Sequence, residues 1–212
     1  MNKREKLNLA LSYFDELFPH AHCELNYRRD YELVIAVMLS AQTTDESVNF
    51  VTAKLFSRFP SLNALANAAI TDLENEIRTL GLFRNKAKNI KGIAHKLISD
   101  FSGKVPRDKA ALMELPGVGN KTANVIRAEL FRIPEFAVDT HVARVSKRLG
   151  FVKPSDDVDA IEKKMRKLLP EEKYIKTHHQ MIHFGRYFCK ARQPNCQNCR
   201  LREICQEKNK KI

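Results

Sequence analysis

Four of the chain's five cysteines, Cys189, Cys196, Cys199 and Cys205, fall within 17 residues near the C-terminal end, spaced C-x6-C-x2-C-x5-C. No other feature constrains the fold as tightly. Packing does not call for four thiols in so short a stretch, and disulfides do not persist in a reducing cytosol. A soft metal centre satisfies them. Zinc sites usually draw their ligands as two close pairs separated by a longer spacer, and here only Cys196 and Cys199 form such a pair. A single run of thiolates better suits a [4Fe–4S] cluster, with zinc as the alternative. Lys190, Arg192, Arg200 and Arg202 interleave the ligands, where they offset thiolate charge and can face DNA. Cys23 stands apart and reads as an ordinary thiol. His179 and His183 lie at i, i+4 with no third ligand evident in the sequence, so both read as structural.

The rest of the chain has the punctuation of helices joined by short turns. Leu7, Ala10, Leu11, Phe14, Leu17 and Phe18 recur at helical spacing, so the N-terminal segment is an amphipathic helix rather than a signal peptide. Apolar stripes predict helices from Tyr31 to Leu39 continued by Ser40–Asp45, then over Val48 to Phe59, from Ser61, from Thr71 with a capping-box pattern, over Asn85–Ser99, Asp108–Glu114, Asn120–Phe131, His141–Leu149, Asp157–Leu168 and Tyr174–Tyr187. No alternating segment of useful length exists, so the fold class is all-α. The longest apolar run, Leu33–Leu39, has seven residues, against the roughly 20 that a membrane span needs. A membrane partner is excluded and a cytoplasmic location expected.

Charge then points to a partner. Up to Glu76 there are 7 basic and 11 acidic residues, net −4; from Ile77 onward there are 30 and 14, net +16. A segregated basic excess is the electrostatic footprint of a polyanion. Within it lies Leu115-Pro116-Gly117-Val118-Gly119-Asn120-Lys121-Thr122-Ala123, between two helices. Gly117 and Gly119 allow close backbone approach, and successive amides at a helix N-terminus cradle a phosphate. Leu115, Val118, Ala123 and Ile126 lock the two helices together. This helix–hairpin–helix pattern, about residues 108–131, grips the DNA backbone without reading sequence.

Lys121 exceeds what a backbone-binding hairpin requires. In the first turn of a helix, the positive end of the macrodipole disfavours its ammonium form; with partial desolvation its amine becomes a nucleophile. Eighteen residues on, Asp139 in Val138-Asp139-Thr140-His141-Val142 stands where the next helix begins. As an N-cap alone it contributes about 1 kcal/mol, and Lys121 alone could be a phosphate contact.

At these residues the sequence resembles the endonuclease III family of helix–hairpin–helix DNA glycosylases. The likeness runs essentially end to end, through Glu24-Leu25-Asn26, Leu39–Asp45, Gly81-Leu82-Phe83, the hairpin, Val138–Val142 and His183–Tyr187 into the four cysteines. It implies Lys121 as nucleophile, Asp139 as its partner, and a [4Fe–4S] cluster on Cys189, Cys196, Cys199 and Cys205. DNA contacts are expected from Gln42, Leu82, Leu115, Gly117, Val118, Gly119, Lys121 and Thr122. Gln42 and Leu82 are expected to fill the duplex when a nucleotide is flipped out. The resemblance also implies two lobes with the DNA groove between them: a six-helix lobe at 23–133, and a discontinuous lobe of 1–22 plus 134–212 with the cluster loop at 189–205. The activity implied is a bifunctional glycosylase and AP lyase acting, as a monomer, on double-stranded DNA with oxidised pyrimidines or abasic sites. Two alternatives compete. An adenine glycosylase-like monofunctional enzyme would lack the hairpin lysine, and a non-enzymatic DNA-binding module would carry only a structural metal.

Overall fold

The computed structural model describes residues 1–208 and 210, among which every regular element is helical and no strand occurs. The chain divides into two compact units: Glu24–Ile133, and Met1–Cys23 together with the described residues from Pro134 onward.

The first unit holds α2 (Asp30–Leu39), α3 (Asp45–Arg58), α4 (Leu62–Asn67), α5 (Ile70–Ile77), α6 (Phe83–Phe101), α7 (Lys109–Met113) and α8 (Asn120–Phe131). That is seven helices where the resemblance implies six. Ala68 and Ala69, in extended backbone with ψ of 143° and 138°, part α4 from α5. Helix α2 is buried on every side from Tyr31 to Leu39, so it has to be central, and α3, α6 and α8 pack on it. The buried Glu32 carboxylate accepts from the amides of Arg28 (2.7 Å) and Arg29 (3.3 Å), satisfying donors at the helix start. Helix α2 stops at Leu39, and Ser40–Thr43 form a turn before α3. Helix α5 begins one residue before the Thr71-Asp72 capping signal, with Ala69 as N-cap and no side-chain cap bond. Packing on α3 and α6 decides that start.

Helix α6 organises this unit. Its inward face carries Lys86, Ala87, Ile90, Ile93, Ala94 and Leu97, and α2, α4 and α5 pack against the helix. Further along, Gly92 meets the hairpin: a Cβ there would lie 2.9 Å from Pro116 Cγ. Only the smallest residue permits that approach.

The second unit holds α1 (Lys3–Leu17), α9 (Thr140–Arg148), α10 (Val158–Leu168) and α11 (Tyr174–His183). Asn2 and Glu5 cap α1 reciprocally, and its face of Leu7, Ala10, Leu11 and Phe14 enters one core with Phe136, Val145, Met165, Met181, Phe184 and Leu201. Cys189 and Cys199 pack against that core. The last long helix does not run unbroken to Tyr187. It passes into a π turn at Phe184–Phe188, where the Cys189 amide bonds back to the Phe184 carbonyl at 2.6 Å. A Cβ on Gly185 would come 2.8 Å from His141 Cβ, so α9 presses on the backbone here and Phe184 stacks on Phe188 (5.2 Å between centroids). His178 Nδ1 donates to the Ala137 carbonyl (2.8 Å) and His183 Nε2 to that of His22 (3.2 Å), both structural contacts.

Candidate active site and cysteine centre

The hairpin is built from local turn chemistry. Leu115 and Val118 bury their side chains between α7 and α8, and the Val118 amide closes the turn on the Leu115 carbonyl at 3.0 Å. These two residues therefore offer a ligand backbone alone. Gly117 sits at φ 79°, and a Cβ on it would meet Asn89 Nδ2 at 2.5 Å and Met38 Cγ at 3.0 Å. Gly117 and Gly119 are exposed. Gly119 is the N-cap of α8 without a side-chain cap bond, so the leading amides, which have no partner within the helix, face outward with no side chain over them. Lys121 follows as the second residue of α8, and Thr122 is half-buried. Lys121 is solvent-exposed rather than desolvated.

Gln42 and Leu82 share an unusual backbone. Both are non-glycine residues in the left-handed region, at φ 56° and 58°, a conformation that costs on the order of 1 kcal/mol and concentrates at functional sites. Both side chains are exposed, and Leu82 at 64% is among the most exposed large apolar residues of the chain. Leu82 is therefore not a core residue. It is the N-cap of α6.

Asp139 belongs to the other unit, where it caps α9. Its Oδ1 accepts from the Val142 amide at 2.8 Å, leaving Oδ2 outside the cap bond.

The four C-terminal thiols line one open cavity, together with Arg148 and Phe184. The π turn delivers Cys189, and short turns carry Cys196 and Cys199, the latter's amide bonding to the Cys196 carbonyl at 3.3 Å. Burial pushes the Cys199 thiol up to about 11, and neighbouring sulfurs add to this. Burial likewise raises Cys189, against the opposing effect of Arg148, whose Nη1 donates to Cys189 Sγ at 3.3 Å. Thiols in such surroundings become thiolates when a cationic centre compensates them. Among the described residues no three His, Cys, Asp or Glu side chains are grouped so as to hold a single metal ion. Four thiols around one cavity fit a polynuclear centre, in which each thiolate binds its own metal atom.

Three residues escape a reading of motifs. Arg144 donates to the carbonyls of Gly185 (2.8 Å) and Cys189 (3.3 Å), and Arg148 to that of Lys190 (2.9 Å), so α9 clamps the entry to the cysteine loop. Their only sequence signal is a basic pair at i, i+4 on an amphipathic helix. The third, Lys86, interrupts the apolar stripe of α6, and that interruption was its signal.

Residues 35–171 match the family model described as HhH-GPD superfamily base excision DNA repair protein. The endonuclease III of Bacillus subtilis is 45% identical over 207 residues, covering 98% of this chain and 94% of that protein. The chain belongs to the endonuclease III family. Two solved structures extend the likeness: a non-covalent endonuclease III–DNA complex and a trapped endonuclease III–DNA covalent intermediate. Each superposes with a TM-score of 0.94 at 48% identity, covering 98% of this chain and 97% of the other. The all-helical fold and the hairpin are thus those of the endonuclease III family. Among the described residues no helix is long and apolar enough to cross a membrane.

Proposed function

We propose that this protein is a bifunctional DNA glycosylase and AP lyase of base excision repair, acting as a cytoplasmic monomer on double-stranded DNA that carries oxidised pyrimidines or abasic sites. The observation that carries the reading is Lys121: an exposed primary amine in the first turn of α8, directly after a hairpin whose Gly117 and Gly119 present bare backbone. A phosphate held by the hairpin amides would bring the sugar of a flipped nucleotide toward that amine. The solved endonuclease III relatives, one described as a DNA complex and one as a trapped covalent intermediate, support the same chemistry.

In the proposed reaction the neutral Lys121 amine attacks C1′, the N-glycosidic bond breaks and the base leaves with its electron pair. Ring opening gives a protonated Schiff base. The iminium acidifies the C2′ proton; its loss expels the 3′ phosphate by β-elimination and cuts the strand on that side. Asp139 stabilises positive charge developing on the sugar, since a carboxylate touching Lys121 directly would favour the ammonium form instead. Gln42 and Leu82 occupy the space that the flipped nucleotide vacates. Cys189, Cys196, Cys199 and Cys205 would hold a [4Fe–4S] cluster, which when bound fixes the basic loop carrying Lys190, Arg192, Arg200 and Arg202.

Borohydride reduction of a reaction mixture tests the reading. Wild-type protein and a duplex with one oxidised pyrimidine should give a covalent adduct, and Lys121→Gln should give none while still binding the lesion. Adduct formed by Lys121→Gln at the wild-type level would refute the nucleophile; base release without any adduct in the wild type would indicate a monofunctional enzyme.

A further inference from the structure

Lys86 is only 4% exposed, yet its ammonium meets neutral oxygens: Nζ donates to the Ala41 carbonyl at 3.0 Å and to Thr43 Oγ1 at 2.8 Å. Thr43 Oγ1 in turn donates to the Ala41 carbonyl at 3.3 Å. Those two acceptors flank Gln42. The backbone of the same lysine reaches Leu82, because its amide donates to the Leu82 carbonyl at 3.0 Å and closes the first turn of α6. Burial lowers the Lys86 pKa from the ordinary lysine value. A buried charge with neutral partners is costly, and a Met or Leu would fill the site without that cost. The compensation lies in what the ammonium holds: a surface turn with a non-glycine residue at φ 56°.

We propose that Lys86 is a positioning residue for base extrusion, one side chain that fixes the Gln42 turn to the Leu82 turn so that both wedges enter the duplex together. This rests on the reading of Gln42 and Leu82 as duplex-filling residues. Lys86 touches no reacting atom; it acts through the two turns. Without the ammonium the 40–43 turn keeps its own backbone bonds, Thr43 N to Ser40 O at 3.1 Å among them, but loses its tie to α6.

The test compares Lys86→Met, which keeps the buried stem and removes the donor, with Thr43→Val, which removes one acceptor at a half-buried position outside the core. Each is measured alone and combined with Gln42→Ala. Single-turnover excision from a duplex with one oxidised pyrimidine gives the rate, titration gives duplex affinity, and 2-aminopurine opposite the lesion reports unstacking. Lys86→Met should slow excision and the 2-aminopurine signal about 10-fold, the size expected for losing a charge-assisted hydrogen bond, with affinity nearly unchanged. Adding Gln42→Ala should then cost little more, because both changes disable the same wedge. Thr43→Val should move in the same direction by less, and it decides the matter if Lys86→Met fails to fold. If Gln42→Ala slows excision while Lys86→Met and Thr43→Val do not, or if the effects multiply fully, the assignment of Lys86 is overturned and the wedges stand. If Gln42→Ala and Leu82→Ala are both silent, the duplex-filling reading itself fails.

Discussion

Asp139 does two jobs in the proposed scheme, and substitution can separate them. One oxygen caps α9 through the 2.8 Å bond from the Val142 amide; the other is left for the sugar. Asparagine caps a helix as well as aspartate does, so Asp139→Asn keeps the cap and loses only the favourable charge at the helix N-terminus, about 0.5 kcal/mol. Alanine loses cap and charge together, about 1.5 kcal/mol. For a chain of this size that corresponds to a melting shift of about 1–2 °C for Asn and about 3–6 °C for Ala. Removing a group that stabilises transition-state charge costs about 100-fold or more in rate. Asp139→Asn should therefore melt close to wild type yet excise an oxidised pyrimidine at least about 100-fold more slowly, while retaining much of its lyase activity on a pre-formed abasic site. The assays are thermal denaturation by circular dichroism and single-turnover cleavage of the two duplexes. Excision at the wild-type rate by Asp139→Asn, with loss confined to Asp139→Ala, would leave the carboxylate nothing but the cap.

Three further outcomes follow from the same geometry. Gly117→Ala forces a side chain into a left-handed position against Asn89, so it should destabilise by more than about 1 kcal/mol and weaken binding to undamaged duplex; denaturation and fluorescence anisotropy measure both. Leu82→Ala at a 64% exposed site should change stability by no more than about 0.5 kcal/mol while lowering excision; a large loss of stability would contradict the exposed turn. Cys199→Ser should lower the iron content and visible absorption of the purified protein together with its stability, and stoichiometric zinc without iron in the wild type would overturn the cluster.

What the sequence revealed and what it concealed divide along physical lines. Helix α8 was legible from Asn120 to Phe131 because a Pro-Gly turn precedes it and its interior is a single apolar stripe, both local signals. Asp108 and Asp157 announced the helices they cap for the same reason. The break at Phe184 was invisible, since a single π turn barely disturbs an apolar period and its cause, α9 against Gly185, is some 40 residues away. The exposure of Lys121 and the left-handed backbone of Gln42 and Leu82 are likewise set by packing. Lys86 shows the limit most clearly. Its interruption of the α6 stripe could be seen, but its acceptors lie 43 and 45 residues upstream.

The unit containing the cysteine centre is assembled from the first and last parts of the chain. Tyr13 donates to the Asn198 carbonyl at 3.1 Å, and Arg200 pairs with Glu16 at 2.6 Å. During synthesis α1 therefore emerges before α9, α10, α11 and the cysteine loop, and waits for all of them. At about 5–20 residues per second its apolar face waits roughly 10–40 s for them, while Glu24–Ile133 can already complete a core of its own. A nascent chain halted near residue 150 thus carries a finished hairpin unit behind an orphaned amphipathic helix, a species suited to chaperone capture and prone to self-association.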